Sequence, residues 1–139
     1  MKVKEIMSSD PACCAPAASV EEAARLMAER DCGEIPVVDS GHKPLGVVTD
    51  RDIACRAVAK GKGPNTPVKE IMSSPAITVS PDTDIDECCR VMEANQIRRV
   101  PVVDAQGGCC GMVAQADFAR RGSEKMTAEL VRDVSQPQR

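Results

Sequence analysis

An α+β fold made of two copies of one β–α–β–β–α unit is what this sequence predicts, and three observations predict it. The segment VKEIMSS at Val3–Ser9 returns at Val68–Ser74, PVVD at Pro36–Asp39 returns at Pro101–Asp104, and the Gly46/Asp52 spacing returns as Gly111/Asp117, every pair 65 residues apart. A fixed period of this kind marks duplicated units that bury their apolar faces against each other. Within each copy, helical apolar spacing gives way to two short strands rich in Val and Ile. Finally, a chain of 139 residues suits one module built from two halves, because either half alone would have a marginal core.

The elements follow in order. Val3–Met7 and Val68–Met72 read as a short helical lead-in or extended arm, ended by Ser-Ser and a proline. After Pro16 and Pro81 a helix starts in each copy. Ser19-x-x-Glu22 is a capping box, and Asp84-x-x-Glu87 places a carboxylate cap at the matched point. Val20, Ala23, Ala24 and Met27 form the apolar face of the first helix, and Ile85, Cys88, Cys89 and Met92 that of the second. Strands are expected at Glu34–Val38 and Arg99–Val103, then polar turns, then strands at Leu45–Val48 and Cys110–Val113. A second helix follows in each copy, from about Asp50 to Ala59 and from about Ala116 to Arg121 or beyond. The expected organisation is repeat one over residues 1–60, a Gly/Pro-rich connector at 61–67, repeat two over 68–122, and a C-terminal helix (Glu124–Val134) with a polar tail over 123–139.

Composition excludes several function classes. A net charge of −3 and a pI near 5.2 give no general attraction to nucleic acid or an anionic membrane. With no Trp, no Tyr and a single Phe, Phe118, the platforms on which single-stranded bases stack are missing. No stretch approaches a membrane span, and the first residues alternate charged and apolar, unlike a signal sequence. The expectation is a soluble, cytoplasmic protein.

The ordered set IMSS, post-proline helix, IPVVD/VPVVD and GVVTDRD, repeated at one offset over residues 3–121, resembles the cystathionine-β-synthase (CBS) domain family as a tandem pair, or Bateman module. The arrangement is also similar to small stand-alone bacterial CBS-pair proteins of the hypoxia and stress-response type. The resemblance implies two repeats related by a pseudo-two-fold axis, nucleotide clefts between them, and a regulatory rather than catalytic role. It also implies a homodimer, in which the second helices pair four repeats into a disc, and an effector protein that the sequence does not identify.

Gly46-Val-Val-Thr49-Asp-Arg-Asp52 carries the chemistry. A strand running into a helix presents free backbone amides and a positive dipole end, which favour phosphate. Thr49-x-x-Asp52 also serves as a helix cap, and the two roles are compatible. The resemblance makes this segment the family's G-h-x-T/S-x-x-D signature, with Asp52 accepting from ribose hydroxyls. The same resemblance completes that cleft with Ser73, Thr78, Ile97, Arg98 and Arg99, and Arg51 stands nearby in the sequence. Arginines suit a phosphate because their guanidinium groups form charge-assisted, often bidentate bonds. In the absence of aromatics, adenine is expected between Val47 and Ile97. The second cleft is degenerate: it keeps Asp117 but has Ala114 for Thr49, with Ser8, Cys13, Cys32, Gly33 and Glu34 at the completing positions. Glu34, standing where the other cleft has Arg99, would repel phosphate.

Eight cysteines include the vicinal pairs Cys13-Cys14, Cys88-Cys89 and Cys109-Cys110, none with C-x-x-C spacing, and His42 is the one histidine. Most read as small buried apolar residues, with no metal site expected, and His42 reads as a turn residue. The leading expectation is therefore a non-enzymatic sensor of an adenosine ligand, either AMP, ADP, ATP or S-adenosylmethionine, with one competent site per chain. The alternatives are a thiol-redox or soft-metal sensor using Cys13 and Cys32, and a ligand-free interaction module.

Overall fold

A computed structural model describes residues 1–121 and 130–135. In chain order its elements are β1 (Ser8–Ser9), α1 (Val20–Arg30), β2 (Glu34–Val38), β3 (Pro44–Thr49), α2 (Asp50–Asp52), α3 (Ile85–Asn95), β4 (Arg99–Val103), β5 (Cys109–Ala114) and α4 (Gln115–Arg121). Both lead-ins are single 3₁₀ turns, Val3–Glu5 and Val68–Glu70. The mixture of helices and small sheets is the α+β class that the sequence predicts.

The chain forms two compact units, and each exchanges its lead-in with the other repeat. One comprises Pro11–Ile77 with Gln106–Cys109, and is called here the first-repeat unit; the other comprises Met1–Asp10, Thr78–Ala105 and Cys110–Arg139, the second-repeat unit. The reason lies in the backbone. In the first-repeat unit, Val68 N donates to Ala18 O (2.8 Å), Lys69 N to Pro16 O (3.1 Å), and Val20 N to Thr66 O (2.8 Å). The first amide of α1 is thereby satisfied by the connector, while the lead-in of the second repeat donates to carbonyls just before α1. In the second-repeat unit, Val3 N donates to Thr83 O (2.8 Å), Lys4 N to Pro81 O (2.9 Å), and Ile85 N to Met1 O (3.1 Å). Val3 and Val68 are fully buried, so each lead-in is part of a core as well.

In the first-repeat unit β2 and β3 pair antiparallel, from Glu34 opposite Thr49 to Val37 opposite Gly46. Val20, Ala23 and Met27 from α1 meet Ile35, Val37, Val48, Ala57, Val68 and Ile71 in one apolar cluster. That is the α1 face read from the helical spacing, except that Ala24 is exposed. Ser19 Oγ accepts from Glu22 N at 3.1 Å, as its capping position demands. The β2–β3 turn is tied by Asp39 Oδ1, which accepts from Gly41 N (2.8 Å) and Lys43 N (2.9 Å).

The second-repeat unit has a three-stranded sheet in the order β1-β5-β4, with Ser8 opposite Met112 and Ser9 opposite Gly111. Cys88, Cys89 and Met92 of α3 are buried, as their apolar reading requires. Asp84 departs from expectation: it makes no side-chain cap bond to α3. Its carboxylate turns instead to Lys2 Nζ at 2.8 Å, because an ammonium is a stronger partner than a neutral amide. That pairing holds the Asp84 carboxyl below its usual range. Residues 130–134 are helical, with Leu130 and Val134 buried, whereas the rest of the expected helix and tail, 122–129 and 136–139, lies outside the described residues.

Candidate functional site

Two buried carboxylates, Asp52 and Asp117, stand at matched positions, and they are the buried charged groups among the described residues. Thr49, last residue of β3, and Asp52, last residue of α2, cap each other: Asp52 N donates to Thr49 Oγ1 and Thr49 N to Asp52 Oδ2, both at 3.0 Å. Ser73 Oγ lies 3.2 Å from both Asp52 oxygens, one hydroxyl proton shared between two acceptors. Arg56 Nε stands 3.6 Å from Asp52 Oδ1. The carboxylate is held in place with acceptor capacity left over.

Ser73 reaches this position because the backbones approach closely. Val47 N donates to Ser73 O (2.9 Å) and Ser73 N to Val47 O (2.8 Å). A Cβ on Gly46 would lie 2.5 Å from Ser73 O, so that approach needs glycine. The helix beyond Asp52 also differs from a regular one. Ile53–Ala57 form a π-turn and Val58–Lys60 a 3₁₀ turn where a continuous helix was expected. Such turns recur where a helix is bent around a site.

At the matched place Ala114 N donates to Asp117 Oδ2 at 2.7 Å, but Ala114 has no hydroxyl to return the bond. Arg120 pairs with Asp117 Oδ1, and the first copy has Cys55 there. An open, polar pocket of about 300 Å³ is lined by Glu5, Ile6, Met7, Ser8, Asp117 and Arg120. The pocket thus adjoins the carboxylate that the sequence reading ranked second. Its Asp117 is already neutralised by Arg120, which leaves less of it for a ligand.

The remaining candidates separate by unit. Val47, Thr49, Arg51, Asp52 and Ser73 share the first-repeat unit, with Val47 half-buried and Arg51 exposed. Thr78, Ile97, Arg98 and Arg99 belong to the second-repeat unit, where Thr78 and Arg98 are exposed. There Arg98 O accepts from Gln115 N at 2.9 Å, which fixes its backbone at the start of α4; Gly33 O likewise accepts from Asp50 N at 3.0 Å at the start of α2. Glu34, Cys13 and Cys32 lie in the first-repeat unit, Ala114 and Asp117 in the other. Arg56 and Arg120 escaped the sequence reading. Their signal was present, since a cation four or three residues after an acid on a helix faces it.

Cys13 and Cys32 have different surroundings. Cys32 packs against the apolar cluster of the first-repeat unit. Cys13 Sγ donates to Pro11 O at 3.4 Å and lies 4.0 Å from His42 Nε2. A hydrogen bond with Cys109 lowers the Cys13 thiol below its usual range, against the opposing effect of burial. Burial pushes the Cys14 thiol up to about 11 and that of Cys88 up to about 12.

The family model described as CBS domain matches residues 3–57 and again 68–124. The chain belongs to the CBS-domain family. Among its relatives, the CBS domain-containing protein YhcV of Bacillus subtilis (strain 168) is 40% identical over 117 residues, which cover 84% of this chain and 82% of YhcV. The crystal structure of Hypoxic Response Protein I, with two coordinated zinc ions, has a TM-score of 0.80 at 33% identity and covers 87% of this chain and 98% of its own. The CBS domain pair of protein MJ0100, in complex with 5′-methylthioadenosine and S-adenosyl-L-methionine, has a TM-score of 0.78 at 32% identity, covering 86% and 94%. For this CBS pair the two family matches make Thr49/Ala114 and Asp52/Asp117 equivalent positions: the carboxylate is kept, and Ala114 lacks the Thr49 hydroxyl. Among the described residues no cluster of three or more His, Cys, Asp or Glu could hold a metal ion, and no helix is long and apolar enough to cross a membrane.

Proposed function

We propose that this CBS pair is a regulatory, non-enzymatic module that senses an adenosine-containing metabolite, with the ribose recognised by Asp52. One observation carries the reading: Asp52 is buried, oriented by Thr49, and bonded to Ser73 through a single shared proton. A vicinal diol offers two donors and satisfies both carboxylate oxygens better than one divided hydroxyl does. The adenosine ligands of the MJ0100 pair support the same class of molecule. Because Ala114 lacks the hydroxyl and Arg120 occupies Asp117, one useful site per chain is proposed. Arg98 and Arg99 are proposed as phosphate ligands on the family resemblance.

Calorimetric titration with AMP, ADP, ATP and S-adenosylmethionine tests the reading. Asp52→Asn preserves shape while removing the charge and one acceptor, and should weaken binding about tenfold or more, the equivalent of ~1–3 kcal/mol for a buried acceptor lost. Asp117→Asn should leave affinity within about twofold of wild type. Equal losses in both variants, or two equal sites per chain, would contradict the asymmetry. A flat trace with all four ligands would favour an interaction module instead.

A further inference from the structure

The first-repeat unit gathers three groups that the ligand reading does not use. Cys13 lies in the loop before α1, His42 in the β2–β3 turn, and Cys109 at the start of β5, in the short segment of the second repeat that belongs to this unit. His42 is held there by its backbone: Cys109 N donates to His42 O at 2.9 Å, and His42 itself has a left-handed φ of 65°. Its ring is exposed, and Nε2 comes within 4.0 Å of Cys13 Sγ. Cys13 is partly exposed and Cys109 is buried, 5% accessible, while the two thiols are hydrogen-bonded to each other. An accessible thiol, a base beside it and a sheltered second thiol are the parts of a peroxide-driven dithiol switch.

We propose that Cys13 and Cys109 form a reversible disulfide in response to hydroperoxides, with Cys13 attacking, Cys109 resolving and His42 taking the Cys13 proton. The thiolate sulfur attacks one oxygen of hydrogen peroxide and the O–O bond breaks. The departing oxygen collects the proton from His42 and leaves as water, so Cys13 becomes a sulfenic acid. The Cys109 thiol then attacks that sulfur. The S–S bond forms, and the sulfenic oxygen leaves as a second water carrying the Cys109 proton. Two thiols and one peroxide thus give one disulfide and two waters; sulfur loses the two electrons that the peroxide gains. A small thiol reverses the reaction by exchange.

Selectivity follows from the surroundings. Cys14 and Cys88 are buried thiols with raised pKa, poor in the reactive thiolate, and Cys32 packs into the apolar cluster. Cys55 is exposed but lies in the π-turn Ile53–Ala57, with none of these groups among its hydrogen-bond partners. Both switch cysteines also flank points where the chain passes from one compact unit to the other, after Asp10 and after Cys109. Oxidation would therefore tie two of those crossings together covalently.

The full-length protein treated with a few equivalents of hydrogen peroxide, then blocked and digested without reductant, gives the test. The intact chain should lose two hydrogens and stay monomeric on non-reducing gels, and fragmentation should join Cys13 to Cys109. Cys14→Ala and Cys110→Ala should retain the cross-link, whereas Cys13→Ser and Cys109→Ala should abolish it. His42→Gln should slow its formation at least about tenfold. A cross-link between Cys13 and Cys14 or Cys32 in the wild type, or oxidation of Cys55 while Cys13 and Cys109 remain thiols, would overturn the proposal. The mapping is made on the unmodified protein, so a variant that folds poorly does not shield it.

Discussion

Gly46→Ala should be among the most damaging single-methyl additions in the first-repeat unit, and its cost can be worked from the backbone. The added methyl would sit 2.5 Å from Ser73 O, 3.1 Å from Met72 Sδ and 3.2 Å from Ser74 Cβ, whereas ordinary contact begins near 3.4 Å. The nearest obstacle is a carbonyl, which no rotamer change can move. Ser73 must retreat by nearly an ångström, and the two bonds it makes with Val47, at 2.8 and 2.9 Å, are strained or lost. Two backbone hydrogen bonds are worth ~1–3 kcal/mol together, and overpacking adds ~1–3 kcal/mol. A loss of roughly 2–6 kcal/mol is expected, a large share of the ~5–15 kcal/mol typical of a whole domain. The matched Gly111→Ala should cost less, because its closest obstacle, Met7 Sδ at 2.6 Å, is the end of a flexible side chain, although Ser8 O at 3.0 Å still resists. Urea denaturation of the two variants against wild type gives the comparison. A loss under about 0.5 kcal/mol for Gly46→Ala, or a larger loss for Gly111→Ala, would refute the steric argument. Ser73→Ala separates the two consequences, since it removes the hydroxyl from Asp52 while leaving the strand contact intact.

Two further outcomes are expected. Phe118 is fully buried and Val58 is 69% exposed, so Phe118→Asp should unfold the second-repeat unit, while Val58→Asp should leave the fold intact and, if second helices pair two chains, halve the mass from about twice 14.8 kDa by light scattering. A 14.8 kDa species for the wild type at tens of micromolar would remove the homodimer proposal. The raised thiol of Cys88 has a signed consequence: it is neutral in the fold and ionises first in the unfolded chain, so its stabilising contribution is complete below its ordinary value of 9.0 and drains away as pH rises toward about 12. Cys88→Ala, which installs the residue its counterpart Ala23 already has, should flatten that alkaline loss in circular-dichroism melts, and an unchanged slope would reject the assignment.

The internal period, the helix faces, the strand pairs and the Thr49/Asp52 cap could all be read from the sequence, because each depends on neighbours within a few residues or on comparison at the fixed offset. Capping spacing placed Thr49 against Asp52, and the loss of a hydroxyl at Ala114 was visible without coordinates. Long-range choices were not legible. That Val3 and Val68 each dock at the start of the other repeat's helix is decided by which amides need partners once the chain has folded. The same competition turned Asp84 away from α3 toward Lys2. Helical spacing marks an apolar face without saying what covers it, and packing in the second-repeat unit buries Phe118 completely. The thiol pattern shows the division most plainly. Comparison at the fixed offset and the family resemblance set Cys13 beside Cys32 in the second cleft, but Cys13 and Cys109 are far apart in sequence and meet only because a short segment of the second repeat folds into the first-repeat unit. Local periodicity determines what each segment can become, and the satisfaction of buried backbone groups across the fold decides which segments share a site.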